Sequence, residues 1–496
     1  MSKMRIGWAE EEFKFDKPVS LVGQFAERIS EYVEKPLTAT AFAVEAGGEQ
    51  MVLCSVDLVG VSEQLTQDVR DSLKDNKLGL DINKIVISAI HTHTGPDYTG
   101  RLSARTSFRK LIESELPADK KYVESADISN NDKIMDNDTL RDIIVNAISK
   151  AIITAWENRS EGSFSNAFGR AVVGMCRRAA YSDGSAQMWG DTNRAVFTEL
   201  EGGNDSGIEL LYVFDSNKKL TGIVANLACP AQCVQHRLFV SPDFWGEAKM
   251  LLRKHFGEDL FLLTLCSAAG DQCPVDLIRW VEPESDVNDP NLKRNNPPKR
   301  KADPSMFDIA GMKKAGKRIA NEIIEVYNEG LDDAQEDIEF VHQVHMMQLP
   351  LRRATLAQEI EARKAIREYL QNKPGDVDFN DAAHIQVHLG ILRRMELQEK
   401  VDIVEIESHI IRLGSIAIST NPFELFLDYG NQIKARSNAE QTFLIQLANG
   451  SEGYLPTKKA EDGGHYSAFI SSGQVGHIGG EQFVRETLKN INEMFD

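Results

Sequence analysis

Cysteine is scarce in this chain: six residues in 496, at positions 54, 176, 229, 233, 266 and 273. They are scattered through apolar stretches, and Cys229 and Cys233 miss the C-x-x-C spacing of zinc ribbons and redox motifs, which argues against a disulfide framework and for reduced, buried thiols. Long apolar runs are missing too. No window approaches the roughly 18 consecutive apolar residues of a membrane span. The N-terminus "MSKMRIGWAEEEFKFDKP" carries charges throughout and has no apolar secretory core, so a cytoplasmic protein is expected. Positive charge is in deficit, with 56 Lys and Arg against 75 Asp and Glu and a net charge of -19. Nucleic acid is a poor partner for such a surface, because its phosphates are bound by Lys and Arg. Anionic membrane is disfavoured for the same reason. Internal repeats and low-complexity tracts are also absent from the sequence.

What is present is a recurring apolar, β-branched run that stops at a small or polar residue: "MVLCSVDLVG" (51–60), "KIVISAIHTH" (84–93), "TGIVANLACP" (221–230), "LFLLTLCSAAGD" (260–271), "SIAISTNPFE" (415–424) and "TFLIQLANG" (442–450). Such runs suit strands buried on both faces. Helix-period segments lie between them, so the fold class is α/β, a mainly buried mixed sheet with flanking helices. Two polar stretches, near 100–138 and 282–304, read as surface loops or insertions, the first a candidate lid because it follows a histidine pair. A charged stretch near 354–400, interrupted by "NKPGDVDFND", reads as an inserted helical hairpin. Residues 1–496 are taken as one domain with these insertions and no C-terminal β-sandwich.

In α/β folds ligands gather beyond the carboxyl ends of strands, so the polar residues ending the runs are the candidates for chemistry. In "ISAIHTHTGPDY" (87–98), His91 and His93 stand at alternate positions, either as a histidine-rich turn or as the start of a metal site. On a continuing strand they would face opposite sides. With the strand broken at Gly95-Pro96, one histidine becomes a ligand and the other turns to substrate. His342 and His345, three apart on a predicted strand, would also face apart, and His384 and His388 read as surface residues.

The stretch resembles the "ATHTHSGPGG" signature of the neutral/alkaline ceramidases, zinc amidases that hydrolyse N-acylsphingosines. Other blocks follow in the family's order. "CPAQCVQHRLFVSPDFWGEA" is similar to its "HPTS…VSSDNKGYA", "SAAGDQCPVD" to "GDVSPN", "STNPFELF" to "LPGEF", and "GSEGYLPTKKAEDGGHY" to "GYVTTPEEY…YE". The resemblance implies a Zn2+ site with His91, Glu424 and Tyr454 as ligands. It implies His93 facing substrate, Tyr466, twelve residues after Tyr454, as the catalytic tyrosine, and Arg177, or its neighbour Arg178, near the scissile carbonyl. Cys229 replaces the family's second zinc histidine, with the fourteen-residue spacing to Asp243 kept. Three outcomes stay open: Cys229 binds metal as a thiolate, His236 takes its place, or metal binding is lost. Asp271 is a candidate for orienting a ligand or water. Cys273, in place of the family's serine, reads as a pocket wall. The implied reaction is cleavage of an amide by metal-activated water, on a small-molecule or lipid-like substrate that need not be ceramide. A catalytically decayed or metabolite-binding protein on the same fold is the alternative.

Overall fold

The computed structural model describes residues 3–24, 28–74, 77–99, 105–123, 133–279 and 307–496. Within them one succession of elements occurs three times. A long strand pairs antiparallel with a second, the second antiparallel with a third, and a helix then crosses over to a fourth strand parallel to the third. In the first unit these are Arg5–Glu12, Thr38–Ala46, Glu49–Val56, helix Glu63–Leu73 and Ile85–Ala89. In the second they are Ser160–Arg170, Gly207–Asp215, Leu220–Leu227, helix Phe244–Phe256 and Phe261–Cys266. In the third they are Phe340–Pro350, Ile403–Leu413, Ile416–Thr420, helix Leu427–Arg436 and Gln441–Ile445. A long helix closes each unit: Asn137–Glu157, Asp308–Glu329 and His477–Phe495. The sequence shows no repeat because only the strand pattern recurs, not the side chains.

The first strands of units one and two pair antiparallel, Arg5 with Glu161 and Ile6 with Ser160. This joins the two units into one mixed eight-stranded sheet, while the third unit forms a four-stranded sheet of its own. Strand alternation divides the side chains between cores. Phe42, Leu53, Val86, Leu211, Val224, Leu263, Ile418 and Phe443 point to a shared central core contributed by all three units. Their neighbours Ala41, Val52 and Ile87 pack under the helices of unit one, Leu210, Ile223 and Leu262 under those of unit two, and Ile410, Ala417 and Leu444 under those of unit three. These strands are therefore buried on both faces, as their continuous apolar runs require. All six cysteines are buried free thiols. Among the described residues no helix is long and apolar enough to cross a membrane.

The helical hairpin is Leu356–Asn372 and Phe379–Leu397, placed between the first two strands of unit three. Thr355 and Gln358 form a reciprocal capping box at its start. The first polar stretch is not simply loop: Arg105–Glu115 is helical, and its Leu111 and Ile112 bury against Ile366, Leu370 and Leu389 of the hairpin. Apolar spacing hidden among charged residues explains the difference. The second polar stretch, near 282–304, lies outside the described residues. His342 makes a contact across unit three that the sequence does not show. It is buried, and its Nε2 lies 2.7 Å from His409 Nδ1 on the neighbouring strand. His384 is exposed and His388 half-buried, in keeping with a surface reading.

Candidate active site

In all three units the third and fourth strands run parallel, so their carboxyl ends open on one side. His91 and His93 follow the last strand of unit one; Cys229 and Asp271 follow the third and fourth strands of unit two; Glu424 and Tyr454 follow those of unit three.

The strand leading to His91 ends at Ala89, earlier than the Gly95-Pro96 break expected from sequence. His91 has φ +64°, a left-handed conformation rare for a side chain of this size. That turn cancels strand alternation and brings the two imidazoles together, ring centres 5.0 Å apart and nearly perpendicular. His91 Nδ1–H donates to the Val59 carbonyl at 2.6 Å, which leaves Nε2 as the nitrogen facing Glu424 Oε2 at 3.4 Å. A ring fixed through one nitrogen with the other presented is the arrangement metal-binding histidines adopt.

Glu424 and Tyr454 are paired by backbone register. Glu424–Leu425 and Tyr454–Leu455 form a short parallel ladder, and Glu424 N–H donates to the Gly453 carbonyl at 2.8 Å. Gly453 has φ +73°, and a Cβ there would stand 2.5 Å from the Ser472 carbonyl oxygen, so the approach needs glycine. Burial would raise the Glu424 pKa, but His91 and Arg177 outweigh it and hold the carboxyl below its ordinary range.

Arg177, not Arg178, enters this group. Its Nη2 donates to the Gly270 carbonyl at 2.9 Å and reaches the Tyr454 hydroxyl at 3.3 Å, while its Nε–H is buried without a partner. Arg178 leaves the other way, to Glu201. The Tyr466 ring stands edge-on to Tyr454, centres 5.5 Å apart. His91, His93, Glu424, Tyr454, Tyr466 and Arg177 are thus brought together.

The unit-two candidates divide. Cys229 borders the group, since its segment runs beside Ile90–His93 through two Ala231 backbone bonds of 3.3 Å. Its thiol rests on the Pro230 carbonyl at 3.5 Å, and burial pushes its pKa well above the usual thiol value. His236 Nε2 faces Asp308 Oδ1 at 3.3 Å, and its ring stacks on Phe307. Asp271 gives its backbone carbonyl to Arg177 N–H at 2.9 Å, while its carboxyl caps helix Leu427–Arg436 through Leu427 N–H at 2.9 Å; burial raises its pKa to about 6. Cys273 is fully buried in a small apolar cluster with Val275 and Leu277, and burial pushes its pKa up to about 12. Glu201, the Val59 carbonyl and the glycines at 270 and 453 carry no local signature and were not legible as site residues.

Among the described residues no three His, Cys, Asp or Glu side chains converge on a metal position. The His91–Glu424 pair is completed instead by a phenol, Tyr454. One imidazole and two oxygen donors, held by backbone register and a locked ring, form a donor set that fits a divalent ion.

No protein-family model and no curated protein matches the sequence. Solved structures do match. A neutral ceramidase from Pseudomonas aeruginosa aligns with TM-score 0.67 and 16% identity over 100% of this chain and 75% of its own. A ceramidase in complex with C2 aligns with TM-score 0.66 and 14% identity over 100% of this chain and 76% of its own. This chain has the neutral ceramidase fold. The ordered blocks of the sequence and the architecture therefore point to one fold.

Proposed function

We propose that this chain is a metal-dependent hydrolase of N-acyl amide bonds, ceramidase-like in chemistry and located in the cytoplasm, with a substrate that need not be ceramide. One observation carries the reading: His91 Nε2 faces the Glu424 carboxyl at 3.4 Å, and the Tyr454 phenol hydrogen-bonds to that carboxyl. Those three residues would hold the ion, zinc suiting their mixed donors, with Cys229 bordering them. Bound zinc lowers the pKa of water and polarises a carbonyl.

The chain's own groups then have separable tasks. Arg177 is anchored by the Gly270 carbonyl and Tyr454, which holds its guanidinium charge beside the candidate ligands, where it would stabilise a developing oxyanion. His93 and Tyr466 are the groups able to pass a proton to the leaving amine. Water adds to the acyl carbon, the C–N bond breaks, and a carboxylate and an amine leave. The likeness to neutral ceramidases supports this class of reaction.

The test is a panel of N-acyl amides, from long-chain ceramide to short water-soluble N-acyl amines, assayed with and without chelator. Release of carboxylate and amine, abolished by chelation and restored by zinc, is expected. A zinc-loaded protein that binds a panel member and returns it intact would overturn the reading in favour of a metabolite-binding protein.

A further inference from the structure

We propose that Arg178, braced by Glu201, is the positioning residue that fixes Tyr466, so that adjacent arginines serve the two site tyrosines: Arg177 holds Tyr454 and Arg178 holds the segment that presents Tyr466. The catalytic consequence rests on the hydrolase reading; the placement itself does not.

Arg178 opens the strand Arg178–Tyr181, and successive side chains at this point leave on opposite sides. It is fully buried, with Nε 2.5 Å and Nη2 3.0 Å from the two oxygens of Glu201. What remains of the guanidinium is spent on one segment. Nη1 donates to the Tyr466 carbonyl at 3.0 Å and the Ser467 hydroxyl at 3.2 Å; Nη2 donates to the Gly464 carbonyl at 2.8 Å and the Ala460 carbonyl at 3.3 Å. That segment carries backbone strain on both sides of the tyrosine. Tyr466 lies between His465 at φ +71° and Ser467 at φ +72°, both left-handed non-glycine residues, and such strain persists only where surroundings over-determine it. A planar fork reaching several carbonyls at once does this, whereas a lysine ammonium is a single flexible point. A buried ion pair with a purely packing role would need no such convergence on the backbone of one tyrosine.

The experiment places 3-fluorotyrosine at position 466 and, in a parallel sample, at Tyr212, whose hydroxyl donates to Ile323 in the outer core of unit two. Arg178→Lys is expected to shift and broaden the fluorine resonance at 466 and leave that at 212 unchanged. Ser467→Ala removes one acceptor only and is expected to move the 466 resonance less, which keeps the idea testable if Arg178→Lys does not fold. On an N-acyl amide that the wild type cleaves, Arg178→Lys should lower kcat about tenfold with KM unchanged, and add nothing to Tyr466→Phe. An unmoved 466 resonance in the folded variants would overturn the proposal. If no amide is cleaved by the wild type, the hydrolase reading falls while the fluorine spectra still decide the placement.

Discussion

Units one and three bring a histidine, a carboxyl and a phenol to a common point. Unit two, built on the same succession of strands and helix, brings thiols and an arginine to its edge. Cys229-Pro230 and Asn421-Pro422 each follow the third strand of their unit, yet only the second leads to a carboxyl facing His91. Burial also has opposite results. Cys229 is pushed towards its neutral form, whereas Glu424 keeps its charge because His91 and Arg177 stand beside it. Topology sets where a side chain is presented; the partners around it decide what it can do.

The largest effect should come from breaking the contact between units one and three. Glu424→Ala removes the group facing His91 Nε2 and should lower kcat/KM on a cleavable amide by about 10³-fold, with zinc retention lost in the same protein. Next is the seam between units one and two, which is ionic where the central core is apolar. Glu10 on the first strand accepts Lys249 Nζ at 2.7 Å and Arg253 Nη2 at 3.0 Å from the unit-two helix. Burial opposes its charge, but the two cations win and bring its pKa down to about 2. The carboxylate therefore stabilises the fold fully above its unfolded value near 4.5 and loses that contribution as pH falls through about 2. Glu10→Gln should cost about 3 kcal/mol at neutral pH, and denaturation curves of the two proteins should converge towards pH 2.

Gly453→Ala sharpens the unit-three side, since the new Cβ would meet Ser472 at a left-handed position. Thermal unfolding should report a loss of about 2 kcal/mol. Smaller still is the contrast within unit two. Cys229→Ala should weaken zinc binding by about tenfold in a competition titration, while His236→Ala, whose ring lies against Asp308 and Phe307, should leave it unchanged. Equal effects of the two substitutions would place His236 in the site after all.

Much of this was legible in the sequence because it is local. Continuous apolar runs announced strands buried on both faces, the interrupted charged stretch announced the hairpin, and ordered blocks announced His91, Glu424, Tyr454 and Tyr466. What escaped depends on conformation or distance. Nothing in "AIHTH" signals a left-handed His91, so the two imidazoles were expected to face apart. The threefold succession of elements is carried by backbone pairing between segments with unlike side chains. Glu201 matters only because it lies across from Arg178, and Arg177 was separable from Arg178 only once their opposite directions were known.

The most direct test of the account is the metal content of protein purified without chelator, measured by elemental analysis beside His91→Ala. The account predicts close to one zinc per chain in the wild type, absent from the variant. A wild type that retains no zinc even after reconstitution, or a variant that retains as much, would contradict it.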